Sequence, residues 1–177
     1  MTMSLSDTIA TVIGPDSQAI QSLFEAQINE WRAAGIKAVG LLGEAHALPN
    51  RSCAAGFLRD ITTDERFAMY LATPPANTSC HLAADGVEAA CKALLGQIED
   101  CDVVVLSKFG KLEEAGGGLR PAFEVAALAG KPILTTVSEK HRDAWAAFTG
   151  GTTMIPDTRA AIQSWWDGLK TDDTITA

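Results

Sequence analysis

At 177 residues, 47% hydrophobic and 20% charged, the chain is sized for one globular domain that buries about 70% of its surface on folding, and it needs no second domain. A net charge of −8, with Lys and Arg nowhere clustered into a basic tract, argues against nucleic acid or an anionic membrane as a partner. No apolar run approaches the roughly 20 residues needed to span a bilayer, and residues 1–7 carry no basic stretch ahead of an apolar one, so the expected location is the cytoplasm. Cys53, Cys80, Cys91 and Cys101 form no C-x-x-C pair and read as reduced packing residues.

In chain order, residues 8–13 make a short β-branched strand, and Gly14-Pro15-Asp16-Ser17 makes a turn with Asp16 or Ser17 as helix cap. Apolar residues recur at helical spacing from Ala19 to Trp31 until Ala34-Gly35 supplies a stop. Residues 36–42 are the next strand, which completes a βαβ unit with a right-handed crossover. The polar loop 44–53 follows, then a hairpin of 56–61 and 66–71 turned at Thr62-Thr63-Asp64-Glu65. Arg51, Arg59 and Arg66 are expected to be solvated or paired with Asp60 and Glu65, and His46 to be an ordinary loop histidine, although Arg51 with His46 could also reach an anion at the sheet's edge. Residues 74–81 are irregular, and the adjacent Cys80-His81 does not make a metal site alone. A helix over 83–98 turns Val87, Ala90, Cys91, Leu94, Leu95 and Ile98 to the core.

The chain is organised around Asp102-Val103-Val104-Val105-Leu106, which leads into Ser107-Lys108-Phe109-Gly110-Lys111-Leu112-Glu113 and the run Gly116-Gly117-Gly118. A continuous β-branched run reads as a strand buried on both faces, central in a parallel sheet. The loop at its carboxyl end is where open α/β sheets bind ligands. Next come a mostly apolar helix over 117–129 carrying Leu119, Phe123, Val125, Ala126 and Leu128, a strand over 131–137, and a helix over 139–148 with Trp145. Gly150-Gly151 breaks that helix ahead of a short strand at 152–155, a closing helix over 158–169 and a frayed tail from 171. Trp165 and Trp166 are adjacent and cannot share one helix face, so at least one belongs at a core margin or an interface; this is the signal for a homodimer. The expected fold is a three-layer α/β/α domain over 1–170, with a mainly parallel sheet and an inserted β-hairpin.

The turn after the first strand tests for nucleotide binding. A P-loop reads G-x-x-x-x-G-K-[ST], with glycines to let backbone N–H groups converge, a Lys for the terminal phosphates and a hydroxyl for magnesium. Here Gly14 matches, but Ala19 replaces the second Gly and Ile20 the Lys, only Gln21 and Ser22 offer polar groups nearby, and Asp16 would repel a triphosphate. The N-terminus of the helix can hold an anion, or can simply be capped by Asp16 or Ser17.

The run from Asp102 to Glu113, with Leu119-Arg120 and Gly130-Lys131-Pro132-Ile133-Leu134, resembles the Walker B region and following βαβ unit of the nucleoside-triphosphatase family that carries D-E-[IV]-G-x-[LM]-E. Over nearly the whole chain it is similar to the bacterial family called domain of unknown function 2478, through Phe109-Gly110-Lys111-Leu112-Glu113 and Gly116-Gly117-Gly118-Leu119-Arg120. The resemblance implies a degenerate P-loop NTPase-like fold and a connection with molybdate uptake without a defined activity. In the active family two acidic residues after the strand position magnesium and polarise the attacking water; Ser107 and Lys108 stand in those places here. The first expectation is therefore a protein that binds a small anionic ligand, a nucleotide or an oxyanion such as molybdate, without efficient hydrolysis. Its ligand-binding residues would be Gly14, Asp16, Ser17, Arg51, Ser107, Lys108, Lys111, Glu113 and Arg120, with no catalytic residue, metal ligand or cofactor assigned. Two alternatives stay open: a weak NTPase in which Lys108 and Glu113 do unconventional work, and a non-enzymatic interaction module using Trp165 and Trp166. Lys108, Lys111 and Glu113 can also be read as a solvated turn with a structural ion pair.

Overall fold

The computed structural model describes residues 5–45, 55–69 and 84–175. The expectations for His46, Arg51, Cys53, Cys80 and His81 lie outside the described residues. After a single helical turn α1 (Leu5–Thr8) come β1 (Ile9–Ile13), α2 (Ser17–Ala33), β2 (Ala38–Ala45), β3 (Ala55–Asp60), β4 (Arg66–Ala68) and α3 (Ala84–Leu95). Then follow β5 (Val103–Leu106), a one-turn α4 (Lys111–Glu114), α5 (Arg120–Leu128) and β6 (Ile133–Thr136). A 3₁₀ turn (Glu139–His141) enters α6 (Arg142–Thr149), and β7 (Thr153–Pro156) and α7 (Arg159–Ile175) close the order.

These strands form one sheet in the order β4-β3-β2-β5-β6-β1-β7. β2, β5, β6, β1 and β7 run parallel, and β3 and β4 add an antiparallel hairpin at the β2 edge. β5 is the fourth of the seven strands, and all its residues are buried. Its unbroken Val-Val-Val-Leu run exists because both faces are covered. On one face α2 and α7 bring Phe24, Ile28, Trp31, Ile162 and Trp166 onto Val12, Val103, Val105 and Leu134. On the other, α3, α5 and α6 bring Leu94, Phe123 and Trp145 onto Ile9, Val104, Leu106 and Ile133. Between β2 and β5 the backbones are so close that a Cβ at Gly40 would lie 2.0 Å from the Val105 carbonyl oxygen. Cys91 and Cys101 are free and buried, and burial pushes both thiols up, away from the reactive thiolate. Among the described residues no helix is long and apolar enough to cross a membrane.

Several expectations are corrected. β2 does not stop at 42: Leu41–Ala45 continues against β3 after the strand has left β5. The apolar helix expected over 117–129 starts at Arg120 and buries Ala122, Phe123 and Ala126, while Val125 is 38% and Leu128 89% exposed. α7 continues through 171–175, which the sequence assigns to a tail. Trp165 and Trp166 are both buried, because two different elements flank α7. The Trp166 ring meets Trp31 of α2 at 5.1 Å between centroids, and Trp165 Nε1 donates to the Asp7 carbonyl at 3.0 Å. The sequence signal for an interface at these indoles is thereby removed.

Arg59 and Arg66 also find other partners than expected. Arg59 pairs with Glu25, Glu44 and Asp64, and Arg66 pairs with Glu44. Burial opposes the Arg59 charge, but Glu44 and Glu25 outweigh it and hold the guanidinium above its ordinary value. Asp60 is instead consumed by its own turn: Oδ1 accepts from Thr62 and Thr63 N–H at 2.8 and 3.1 Å, and Oδ2 from Gln97 Nε2 at 2.7 Å.

Candidate functional site

The connectivity marks the sheet edge where folds of this kind bind ligands. From β1 the chain leaves through α2 on one face of the sheet, whereas from its neighbour β6 it leaves through α6 on the other. Chains that diverge this way leave an opening at the carboxyl ends of the two strands, the usual ligand position in open α/β sheets. The turn at 14–16 lies on the β1 side of the opening, and the loop after β5 lies one strand beyond β6.

The turn after β1 is too short for a phosphate cradle. Only three residues separate Ile13 from Ser17, where α2 begins. Asp16 Oδ1 accepts from Gln18 N–H and Ala19 N–H, both at 3.0 Å, and so caps the helix. Ala19, in the place of the second P-loop glycine, is already within the first turn, and the protein's own carboxylate takes the N–H groups an anion would need. Ile20, in the place of the lysine, is 2% exposed and belongs to the core. Ser17 is the first exposed residue of α2, and Gly14 lies against Asp157, whose Oδ2 would be 2.4 Å from a Cβ at that position. Asp16→Ala should cost about 1 kcal/mol, read as a lower urea midpoint, with Asp16→Asn restoring most of it because the acceptor returns.

β5 delivers Ser107 buried and Lys108 exposed. Phe109 returns to the core, donating its N–H to the Thr136 carbonyl at 2.9 Å and bridging Val137. Lys108 bends over Gly110, where a Cβ would meet its Cε at 3.6 Å, and it has no salt bridge among the described residues. Lys111 is exposed as well.

Glu113 is buried rather than solvated, and among the described residues it has no salt bridge. It is 5% exposed; Oε1 accepts from Gly110 N–H at 2.9 Å and Oε2 from Leu119 N–H at 3.0 Å. Burial pushes its carboxyl above the ordinary 4.5, against the opposing pull of those N–H groups and of Lys108. Gly118, at φ +58°, leaves room for the carboxylate, since a Cβ there would lie 1.8 Å from Oε2. The two sequence elements Phe109–Glu113 and Gly116–Arg120 are therefore one structural unit, in which the glutamate of the first holds the backbone of the second. Arg120 packs over the same unit: its guanidinium lies 4.6 Å from the Phe148 ring centroid, Nε pairs with Glu124 at 3.2 Å, and a terminal guanidinium nitrogen donates to the Glu113 carbonyl at 3.4 Å.

Gln21, in the sequence only a polar residue near the P-loop position, has a structural role that the sequence did not show. It is 8% exposed; Nε2 donates to the Ser107 carbonyl at 2.8 Å, and Gly43 N–H donates to Oε1 at 2.8 Å. The available signal was a polar residue beside Ile20 and Phe24 on the apolar side of α2. Two clefts lie elsewhere. One of about 490 Å³ is lined by the ion pairs of Arg59 and Arg66, and one of about 290 Å³ between α5 and α6 is lined by Ile9, Phe123, Leu128 and Phe148. The first is filled with mutually paired charges, and the second is mostly apolar with Glu124 and Thr149 as its polar lining, Glu124 being paired with Arg120.

The three-layer α/β/α architecture, with its mostly parallel sheet and a glycine turn between first strand and helix, is consistent with the P-loop-like class of folds. Within that class, the chain belongs to the family described as Protein of unknown function (DUF2478), whose profile matches residues 9–165. It is 44% identical over 91 residues to "Molybdenum import ATP-binding protein ModC 2" of Bradyrhizobium diazoefficiens, an alignment covering 50% of this chain and 10% of that protein. The match thus spans about a tenth of that relative's length. No solved structure matches the chain.

Proposed function

We propose that this chain is a P-loop NTPase-like binding domain that holds a small anionic ligand, a nucleotide or an oxyanion, at the carboxyl edge of its sheet without efficient hydrolysis. The observation that carries this reading is Lys108, an exposed cation without a salt bridge among the described residues, at the end of the central strand beside the β1–β6 opening. Phosphoryl transfer requires a cation clamp, magnesium and an oriented water. Ile20 is buried where the clamp lysine would be, Gln21 spends its amide on backbone, and both Glu113 oxygens are engaged by N–H groups. That combination supports binding over turnover. The similarity to part of a protein named for molybdenum import makes molybdate the first oxyanion to try.

The test is a thermal-shift series with phosphate, sulfate, molybdate, tungstate, NTPs and NDPs, with and without Mg²⁺. A ligand at 100 times its Kd adds about 2.7 kcal/mol, a rise of about 5–10 °C for a chain of this size. Lys108→Ala should abolish the rise. Absence of any shift, or a shift indifferent to Lys108→Ala, overturns the site. Metal-dependent phosphate release abolished by Lys108→Ala would establish the weak NTPase instead.

A further inference from the structure

Resting on the reading of that edge as an anion site, we infer that its ligand is a compact oxyanion bound without a divalent cation, and that Gln21 is the positioning residue that sets Lys108 to receive it. β2 and β5 pair in register only as far as Leu41 and Leu106. Beyond that point β2 follows β3, while the chain after β5 turns to β6 through the bridge between Phe109 and Val137. The two strands part, and the Gln21 carboxamide from the first turns of α2 fills the gap. It stands in for a missing peptide unit, accepting from Gly43 N–H on one side and donating to the Ser107 carbonyl on the other, both at 2.8 Å. One buried side chain thereby ties α2, β2 and β5 together immediately before Lys108.

The same arrangement argues against magnesium. In a P-loop site the position of Gln21 offers a hydroxyl to the metal. Here its oxygen is turned to Gly43 and 8% of the residue is exposed, Ser107 is 5% exposed, and the next residue, Lys108, brings a positive charge to the same edge of the sheet. A fixed cation repels a divalent ion and takes its electrostatic role toward an anion. The β1 turn limits the ligand's size, because Asp16 already occupies the Gln18 and Ala19 N–H groups and Asp157 covers Gly14, so a polyphosphate running toward α2 would meet two carboxylates. A single tetrahedral dianion at Lys108 meets neither.

The experiment titrates the full chain with orthophosphate and with molybdate, each in EDTA and in excess Mg²⁺, and with Mg–ATP, reading affinity by calorimetry and by thermal shift. The expected result is equal oxyanion affinity in EDTA and Mg²⁺ and weaker or no binding of Mg–ATP. Gln21→Met, which fills the gap without its hydrogen bonds, should weaken oxyanion binding by about tenfold or more. Gln21→Glu keeps the shape, loses the donor to Ser107 and sets a negative charge against the Ser107 carbonyl, and should weaken it at least as much; it serves if the Met variant does not fold. A purely structural Gln21 would lower the midpoint of the ligand-free protein and leave the affinity unchanged. Binding that requires Mg²⁺ overturns the metal-free assignment. Full oxyanion affinity in folded Gln21 variants, with loss in Lys108→Ala, overturns the role of Gln21 while the anion site stands; no response of the unsubstituted protein to any anion overturns both.

Discussion

Truncating Trp145 to alanine is expected to cost about 3–5 kcal/mol of folding stability. The indole is fully buried, with centroids 4.9 Å from Phe109, 5.2 Å from Phe123 and 6.0 Å from Phe148. Its Nε1 donates to Thr11 Oγ1 at 2.9 Å, and Thr11 is in turn bonded to Thr152 at 2.6 Å. Removing the ring opens a cavity in the aromatic cluster that anchors Phe109, the residue after Lys108. Trp145→Phe keeps most of the volume and loses only the N–H bond, so about 1–2 kcal/mol is expected. Urea denaturation of both variants measures the difference. A loss under about 1 kcal/mol for the alanine variant would mean that the cluster closes over the gap and carries little of the fold's stability.

Glu113→Ala should destabilise by about 2–3 kcal/mol, because the Gly110 and Leu119 N–H groups, both in the buried latch, lose their acceptors. Glu113→Gln returns one acceptor and should recover about half. The pH dependence has a definite sign. Burial holds the Glu113 carboxyl above its ordinary 4.5, so the folded chain binds this proton more tightly than the unfolded one. Its favourable contribution is complete below the ordinary value and is lost as pH rises through the raised one. Relative to Glu113→Gln, which does not titrate, the unsubstituted protein should therefore lose stability on going upward from about pH 4.5 and level off above the raised value. Paired urea titrations across that range check it. A stability gap that moves in the other direction would show that the N–H groups and Lys108 outweigh desolvation.

Much of the architecture is legible in the residues because the patterns that betray it are local. Val103–Leu106 carries its central position in its lack of alternation. Gly35, Gly130 and Gly150 sit at positive φ, each just past a helix, as expected of helix stops. Asp16 caps α2 through contacts two and three residues away. The site is less legible because its decisive contacts are long in sequence. Gln21 reaches a carbonyl 86 residues on, and the polarity of a glutamine does not say which strands will separate beside it. The arginines of the hairpin similarly take Glu25 and Glu44 from elements that only the tertiary fold brings near, with Asp64 of their own turn as a further partner of Arg59, rather than the Asp60 and Glu65 expected from the sequence.

The sequence by itself determined the α/β class, the order of the elements, the hairpin, the central strand and the loss of the P-loop lysine, since each depends on residue type and spacing within one segment. Only the tertiary structure decided that Glu113 is a backbone latch, that Arg120 lies on Phe148, that both Trp165 and Trp166 are covered, and that Gln21 joins β2 to β5. The reason is physical. Apolar burial follows a periodicity that a segment carries with it, whereas a buried polar or charged group is satisfied by whichever donor or acceptor the packed layers place within hydrogen-bond reach.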